Sequence, residues 1–218
     1  MILVVKLGLG CEEMSNKIQR IDIYEDDRFD KDVLRQHGAF IVDRKYKCSF
    51  RIINKDSALV FFDKEIDVCQ LINEFRFYSE HIVNFYDKNM ELIKSFPPKE
   101  IFYINIKDIQ PSQFFVDMDK VKAIESFIES EEDICIPLVK INNYFISEDG
   151  HTRLYYAVTK GYSRVRAYFT KPGDYTEEFA EEAMRRNVYS PYDLKLLFHE
   201  EYKIKWDKFC DDFFRERE

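Results

Sequence analysis

Residues 136–170 carry strand and helix patterns in an order common to α/β units. Residues 136–141 read as a strand, Asn142-Asn143 turns it, and residues 144–147 read as a second strand. Glu148-Asp149-Gly150 then makes a tight corner, and a helix runs from about His151 to Lys160 before Gly161. Residues 164–170 close the unit as another strand, and Lys171-Pro172-Gly173 ends it. Leu154, Ala157 and Val158 fall on one helical face, so the helix must pack against a sheet: this is an α/β unit. Upstream, residues 101–106 alternate as a strand, and Gln110-Pro111-Ser112-Gln113 reads as a turn. A helix after Asp117 turns Met118, Val121, Ile124, Phe127 and Ile128 inward.

The remainder divides around this unit. Residues 2–7 read as a buried strand, and a short helix is expected from near Asp30 to a stop at Gly38. Three β-type runs follow, at 39–42, 46–53 and 58–62. Asp63 is placed to cap a helix whose apolar positions are Ile66, Cys69, Leu71, Ile72 and Phe75. Residues 82–86 and 90–96 flank Asp87-Lys88-Asn89 as a hairpin, and Pro97-Pro98 then interrupts the pattern. From Asp174 the chain reads as helical, with Ser190-Pro191 starting a long amphipathic stretch. The expected fold is α+β: an N-terminal α+β domain over 1–98, an α/β domain over 99–173 and a helical C-terminal extension over 174–218.

Charge and cysteine usage narrow the function classes. The chain has 33 Lys and Arg against 41 Asp and Glu, a net charge of −8. Residues 1–98 carry 15 basic and 17 acidic residues, 99–173 carry 10 and 11, and 174–218 carry 8 and 13. No segment has the basic excess of a DNA-binding surface, which counts against DNA as a partner. No apolar run reaches the ~20 residues that span a bilayer. Residues 1–10 are apolar but lack a basic leader, which fits a strand better than a signal peptide. The five cysteines are scattered with no CxxC pair, which points to reduced thiols in a cytoplasm.

The corner at 148–153 is where the sequence points to chemistry. Glycine lets the backbone bend sharply and approach a ligand closely. The first helical turn leaves its N–H groups unpaired, and the helix dipole adds positive charge there. Thr152 brings a hydroxyl to that end, and Arg153 a fork of donors suited to phosphate oxygens. Gly150, His151, Thr152 and Arg153 together form a candidate phosphate site. His151 titrates near neutrality and is a candidate acid, base or donor. Glu148 and Asp149 are candidates to hold Mg²⁺ through oxygen or to orient His151 and Arg153.

The succession of elements over residues 104–169 resembles the ParB/sulfiredoxin-like domain. The order is a strand, a Pro-containing turn (IKDIQPSQ), a helix (KVKAIESFI), a Pro-containing strand (IPLVKI) and a strand (YFISEDG). The helix DGHTRLYYAVTKG and the strand RVRAYFT complete it. The resemblance covers about a third of the chain. It implies a nucleotide-phosphate site in which Gly150, His151, Thr152 and Arg153 contact phosphate and Asp149 is the acidic residue before the glycine. The implied ligands are ATP, ADP or CTP with Mg²⁺. Sulfiredoxins carry a cysteine between the glycine and the histidine, which this chain lacks. Partition clamps carry basic helix-turn-helix segments where this tail is acidic. The corner is most similar to that of free-serine kinases, whose catalytic glutamate falls on Gln113 here. An amide cannot act as a base, so either a neighbour such as Glu148 takes that role or phosphotransfer is lost. Ser112, beside it, reads as a turn residue of a substrate loop.

Three functions follow as expectations. The first is Mg²⁺-dependent nucleotide chemistry, with phosphoryl transfer to a small hydroxylated acceptor or nucleotide hydrolysis. His151, Glu148 and Asp149 would then form the catalytic set. The second is a nucleotide-sensing module that engages a protein partner through the N-terminal domain or the C-terminal helices. The third is a nuclease, against which the net charge counts.

Overall fold

The computed structural model describes residues 17–63, 65–77 and 79–217; the strand expected at 2–7 lies outside them. The chain combines helices and sheets, as expected of an α+β protein. Its first sheet has six strands: β1 (Ile18–Arg20), β2 (Ala39–Val42), β3 (Tyr46–Ile52), β4 (Ser57–Phe62), β5 (Asn84–Tyr86) and β6 (Leu92–Ser95), in sequence order. All neighbours run antiparallel except β4 and β5, which are joined by α2 (Val68–Arg76) and pair parallel. Helix α1 (Lys31–Arg35) lies between β1 and β2.

The core under this sheet is aromatic. Phe50 stacks on Phe75 with ring centroids 4.6 Å apart, and Phe40 and Phe85 meet Phe50 edge-on. Gly38 is required, though not for a left-handed bend. A Cβ there would lie 2.1 Å from the Phe50 carbonyl oxygen, so glycine lets β3 approach. The left-handed residue at the end of α1 is His37, with φ of 53°.

One helix cap differs from the sequence expectation. The α2 cap is Asp67, whose side chain accepts the Cys69 amide at 2.9 Å. Asp63 instead accepts the Lys47 amide at 2.7 Å, and so extends the pairing of β3.

The second sheet follows Pro97-Pro98. Its members are β7 (Phe102–Asn105), β8 (Ile109–Pro111), β10 (Cys135–Ile141), β11 (Tyr144–Ser147) and β12 (Arg164–Phe169), in the order β7-β12-β10-β11-β8. The remaining elements of this part of the chain are β9 (Phe115–Asp117), α3 (Met118–Ile124) and α4 (His151–Thr159). Along β12 the burial alternates in function. Val165 and Ala167 enter the core with Leu154 and Ala157 of α4, as do Ile136 and Leu138 of β10. The expected turn at 110–113 is in part a strand, because Ile109 to Pro111 pair in parallel with Phe145 to Ser147. Ile109 and Gln110 are buried there, and the proline takes the last position of an edge strand, where no donor is needed.

The tail is less helical than its pattern suggests. Helix α5 (Thr176–Arg185) forms as expected, but Pro191 starts only a 3-10 turn. A short strand follows, β13 (Lys195–Leu197), which pairs parallel with β9. Helix α6 (His199–Tyr202), a π-helical stretch at Lys203–Asp207 and α7 (Lys208–Arg215) end the described chain. Trp206 and Phe209 pack on Phe114 and Val116 around β9, and Phe179 of α5 packs in turn on both rings. Among the described residues no helix is long and apolar enough to cross a membrane.

Candidate functional site

The corner between β11 and α4 is built as the sequence implies. Glu148 donates its amide to the Pro137 carbonyl at 3.2 Å, holding the chain against β10 after the strand ends. Gly150 then adopts φ 85° and ψ 17°, a left-handed conformation that strains any residue with a Cβ. A Cβ would also meet Ile136 Cδ1 at 2.8 Å and the Arg153 guanidinium at 3.1 Å. The Gly150 carbonyl accepts the Leu154 amide at 2.9 Å and starts the helix. No side chain caps α4. The amides of His151, Thr152 and Arg153 donate to no acceptor among the described residues, as is usual for the first turn of a helix.

The side chains at the corner are engaged otherwise. His151 is 6% exposed, and its Nε2 lies 3.2 Å from the Ser112 amide, 3.1 Å from Ser147 Oγ and 3.3 Å from Ser112 Oγ. A backbone N–H only donates, so Nε2 is the bare acceptor of a neutral ring. Burial pushes the His151 pKa down to about 4 and outweighs the opposing Asp149 charge; Arg153 adds to the depression. Ser112 donates its hydroxyl to the Ser147 carbonyl at 2.8 Å, which ties the 112–113 turn to the end of β11. Gln113 points away: its Nε2 donates to the Phe115 carbonyl and lies 3.0 Å from Tyr202 Oη.

The two acids are likewise engaged. Glu148 accepts the Gly173 amide at 3.1 Å through one oxygen and the Thr176 hydroxyl at 2.7 Å through the other, fastening the corner to the start of α5. Asp149 accepts from Arg153 Nη2 at 2.9 Å. Loss of water raises the Asp149 pKa, but the Arg153 guanidinium and the Gly150 amide outweigh it and hold the carboxyl below its usual value. Arg153 donates through Nη1 to the Cys135 carbonyl at 2.7 Å. It therefore braces the corner against β10 rather than standing free beside the helix terminus.

A divalent cation fits poorly at Glu148 and Asp149, where backbone, hydroxyl and guanidinium donors already hold the oxygens. A second group of potential ligands lies elsewhere. Asp117, Asp119 and His199 bring one ligand atom each within 4.8 Å of one another. Asp117 is 1% exposed and caps α3, accepting the Asp119 amide at 2.9 Å. Its second oxygen lies 2.7 Å from His199 Nδ1. The β9–β13 pairing creates this contact, because it sets Leu197 opposite Asp117. Two carboxylates and an imidazole suit Mn²⁺, Fe²⁺ or Zn²⁺ better than Mg²⁺, which prefers oxygen donors and retained waters. Sequence reasoning missed this group because the pair spans 82 residues without a local motif. Burial raises the pKa of the Tyr24 phenol in the N-terminal segment, and the charges of Asp117, Asp22 and Asp119 raise it further.

No protein-family model and no curated protein matches the chain. One solved structure that matches part of the chain is that of protein Atu1540 from Agrobacterium tumefaciens, with a TM-score of 0.31 and 18% identity. The alignment covers 44% of this chain and 61% of that one.

Proposed function

We propose that the protein binds a phosphate-bearing nucleotide at the N-terminus of α4, and that this corner is a binding site rather than an acid–base centre. The observation that carries the reading is the set of three unpaired amides, His151 to Arg153, behind a left-handed Gly150. Backbone donors aligned with a helix dipole suit phosphate oxygens without any charged side chain. The neighbouring side chains argue against catalysis at the same place. His151 is a buried neutral acceptor, Glu148 holds α5, and Gln113 cannot take a proton. The chain fits a nucleotide-sensing module of ParB/sulfiredoxin-like type, with its tail or N-terminal sheet available to a protein partner.

A thermal-shift series with ATP, ADP and CTP tests the reading. A nucleotide held at 100 times its Kd adds about 2.7 kcal/mol of stability. No shift with any of the three, with or without a divalent cation, contradicts it.

A second reading is nucleotide phosphoryl transfer or hydrolysis assisted by a cation, and the Asp117–Asp119–His199 group favours it. When bound, a cation there would supply charge neutralisation for a phosphate, while α4 positions that phosphate. Nucleotide turnover that requires Mn²⁺ or Mg²⁺ and is lost in Asp119→Asn would support this second reading over the first.

A further inference from the structure

Arg166 and Tyr168 lie two residues apart on β12 and share the face opposite to Val165 and Ala167. The loop at residues 79–83 of the N-terminal part covers that face, with the His81 ring 5.7 Å from the Tyr168 ring. The polar groups brought together here are not mutually satisfied. Arg166 is 9% exposed and makes one hydrogen bond among the described residues, from Nη1 to the Glu132 carbonyl at 2.7 Å. Tyr168 is 1% exposed, and its hydroxyl has no partner among them. His81 Nδ1 is buried and equally unpartnered.

Arg153 approaches the same place from α4. Its Nη1 is fixed on the Cys135 carbonyl, and Cys135 pairs directly with Arg166 across the parallel ladder. Two guanidinium groups are thus anchored on carbonyls of one short segment, 132–135. Of the two, Arg153 is already paired with Asp149, while the other nearby carboxylates are engaged elsewhere: Glu80 by Lys99 at 2.7 Å and by the Thr170 hydroxyl, and Glu132 by Lys55 and the Tyr103 hydroxyl. Arg166 has no carboxylate partner within ion-pair distance among the described residues. Burial lowers the His81 pKa to about 3, and Arg153 and Arg166 push it the same way, so its ring is neutral. On one face of β12, Arg166 carries a charge that no carboxylate meets, the Tyr168 hydroxyl has no hydrogen-bond partner among the described residues, and the unpartnered Nδ1 of His81 lies in the ring packed against Tyr168.

We infer that the seam between the two sheets holds an oxyanion, bound by Arg166, His81 and Tyr168 with Arg153 at its edge. A phosphate supplies several acceptor oxygens and the negative charge that a planar guanidinium matches. The site stands independently of the α4 amides. Its occupant is either free phosphate or a phosphate group of a nucleotide, which have the same recognising chemistry.

The test is calorimetric titration of inorganic phosphate into the full chain and into Thr152→Glu, Arg166→Gln and Tyr168→Phe. The wild type is expected to take up two equivalents, one at each site. Thr152→Glu keeps the seam equivalent and Arg166→Gln loses it. Tyr168→Phe, which preserves the packing of the ring, weakens it about tenfold, the value of one hydrogen bond to a charged group. Phosphate uptake unchanged in both Arg166→Gln and Tyr168→Phe overturns the inference. Failure of the α4 reading alone has a different signature: Thr152→Glu is then silent while Arg166→Gln is not. Displacement of the seam phosphate by ADP assigns the site to a nucleotide phosphate. Retention alongside ADP assigns it to the free anion, and both results require the site.

Discussion

The α4 corner and the seam beside it contain similar residues, a histidine, arginines, hydroxyls and acids, yet they leave opposite things open. At the corner the His151, Glu148 and Gln113 side chains and both anchored nitrogens of Arg153 are already hydrogen-bonded within the protein, and the backbone amides remain unused. At the seam the backbone is paired in β10 and β12, and the Tyr168 hydroxyl and His81 Nδ1 have no partner among the described residues. Residue identity alone does not mark a catalytic group. A histidine at a helix N-terminus with three polar neighbours around its Nε2 is a brace, and the proposed phosphate site rests on the unpaired amides behind the glycine instead.

The largest effect expected from this difference is in acid. The His151 ring is neutral in the fold, with its pKa depressed to about 4, whereas an unfolded chain protonates it near 6.5. The unfolded state then binds more protons between about pH 4 and 6.5. Stability therefore rises with pH across that window and is level above it. The contribution is roughly 3 kcal/mol for a shift of this size. His81 acts with the same sign, down to about pH 3. Denaturant unfolding measured from pH 4 to 7 is expected to show this slope, and His151→Gln to flatten it by the His151 share. An unchanged slope would mean that the ring is not held neutral.

A smaller loss is expected for Glu148→Ala, which removes two hydrogen bonds to a carboxylate that is partly open to solvent. The destabilisation should be about 2 kcal/mol, read from chemical denaturation, with cation binding unaffected. Loss of Mg²⁺ binding at constant stability would reinstate Glu148 as a metal ligand. Smaller again is Gln113→Glu, which restores the carboxylate expected of the serine-kinase-like turn. A carboxylate cannot donate to the Phe115 carbonyl, so the variant should lose about 1 kcal/mol and gain no nucleotide turnover. A gain in turnover would return the corner to the catalytic class.

Local features were legible in the sequence, and non-local ones were not. Asp149-Gly150 after an alternating strand specifies the left-handed corner, and Leu154 and Ala157 specify the buried face of α4, because both depend on neighbours a few residues away. The strand at Lys195–Leu197 was hidden, since Leu194, Leu197 and Phe198 also fit a helical period. What decides it is parallel pairing with Phe115–Asp117, about eighty residues upstream. The Asp117–His199 contact depends on that pairing and was hidden with it. The seam is similar: His81 reaches Tyr168 across 87 residues, and no spacing rule connects them. The open amides at α4 could be anticipated from helix geometry, but whether the side chains around them were free could not.

The central claim, that backbone amides at the start of α4 bind a phosphate, is most directly tested by Thr152→Glu. The substitution puts a carboxylate beside the open amides, where it suits the helix dipole and leaves the fold intact. Calorimetric titration of ADP and ATP is expected to show binding to the wild type and loss of it in Thr152→Glu, with an equal or higher melting temperature. Nucleotide affinity that is the same in both proteins would contradict the account.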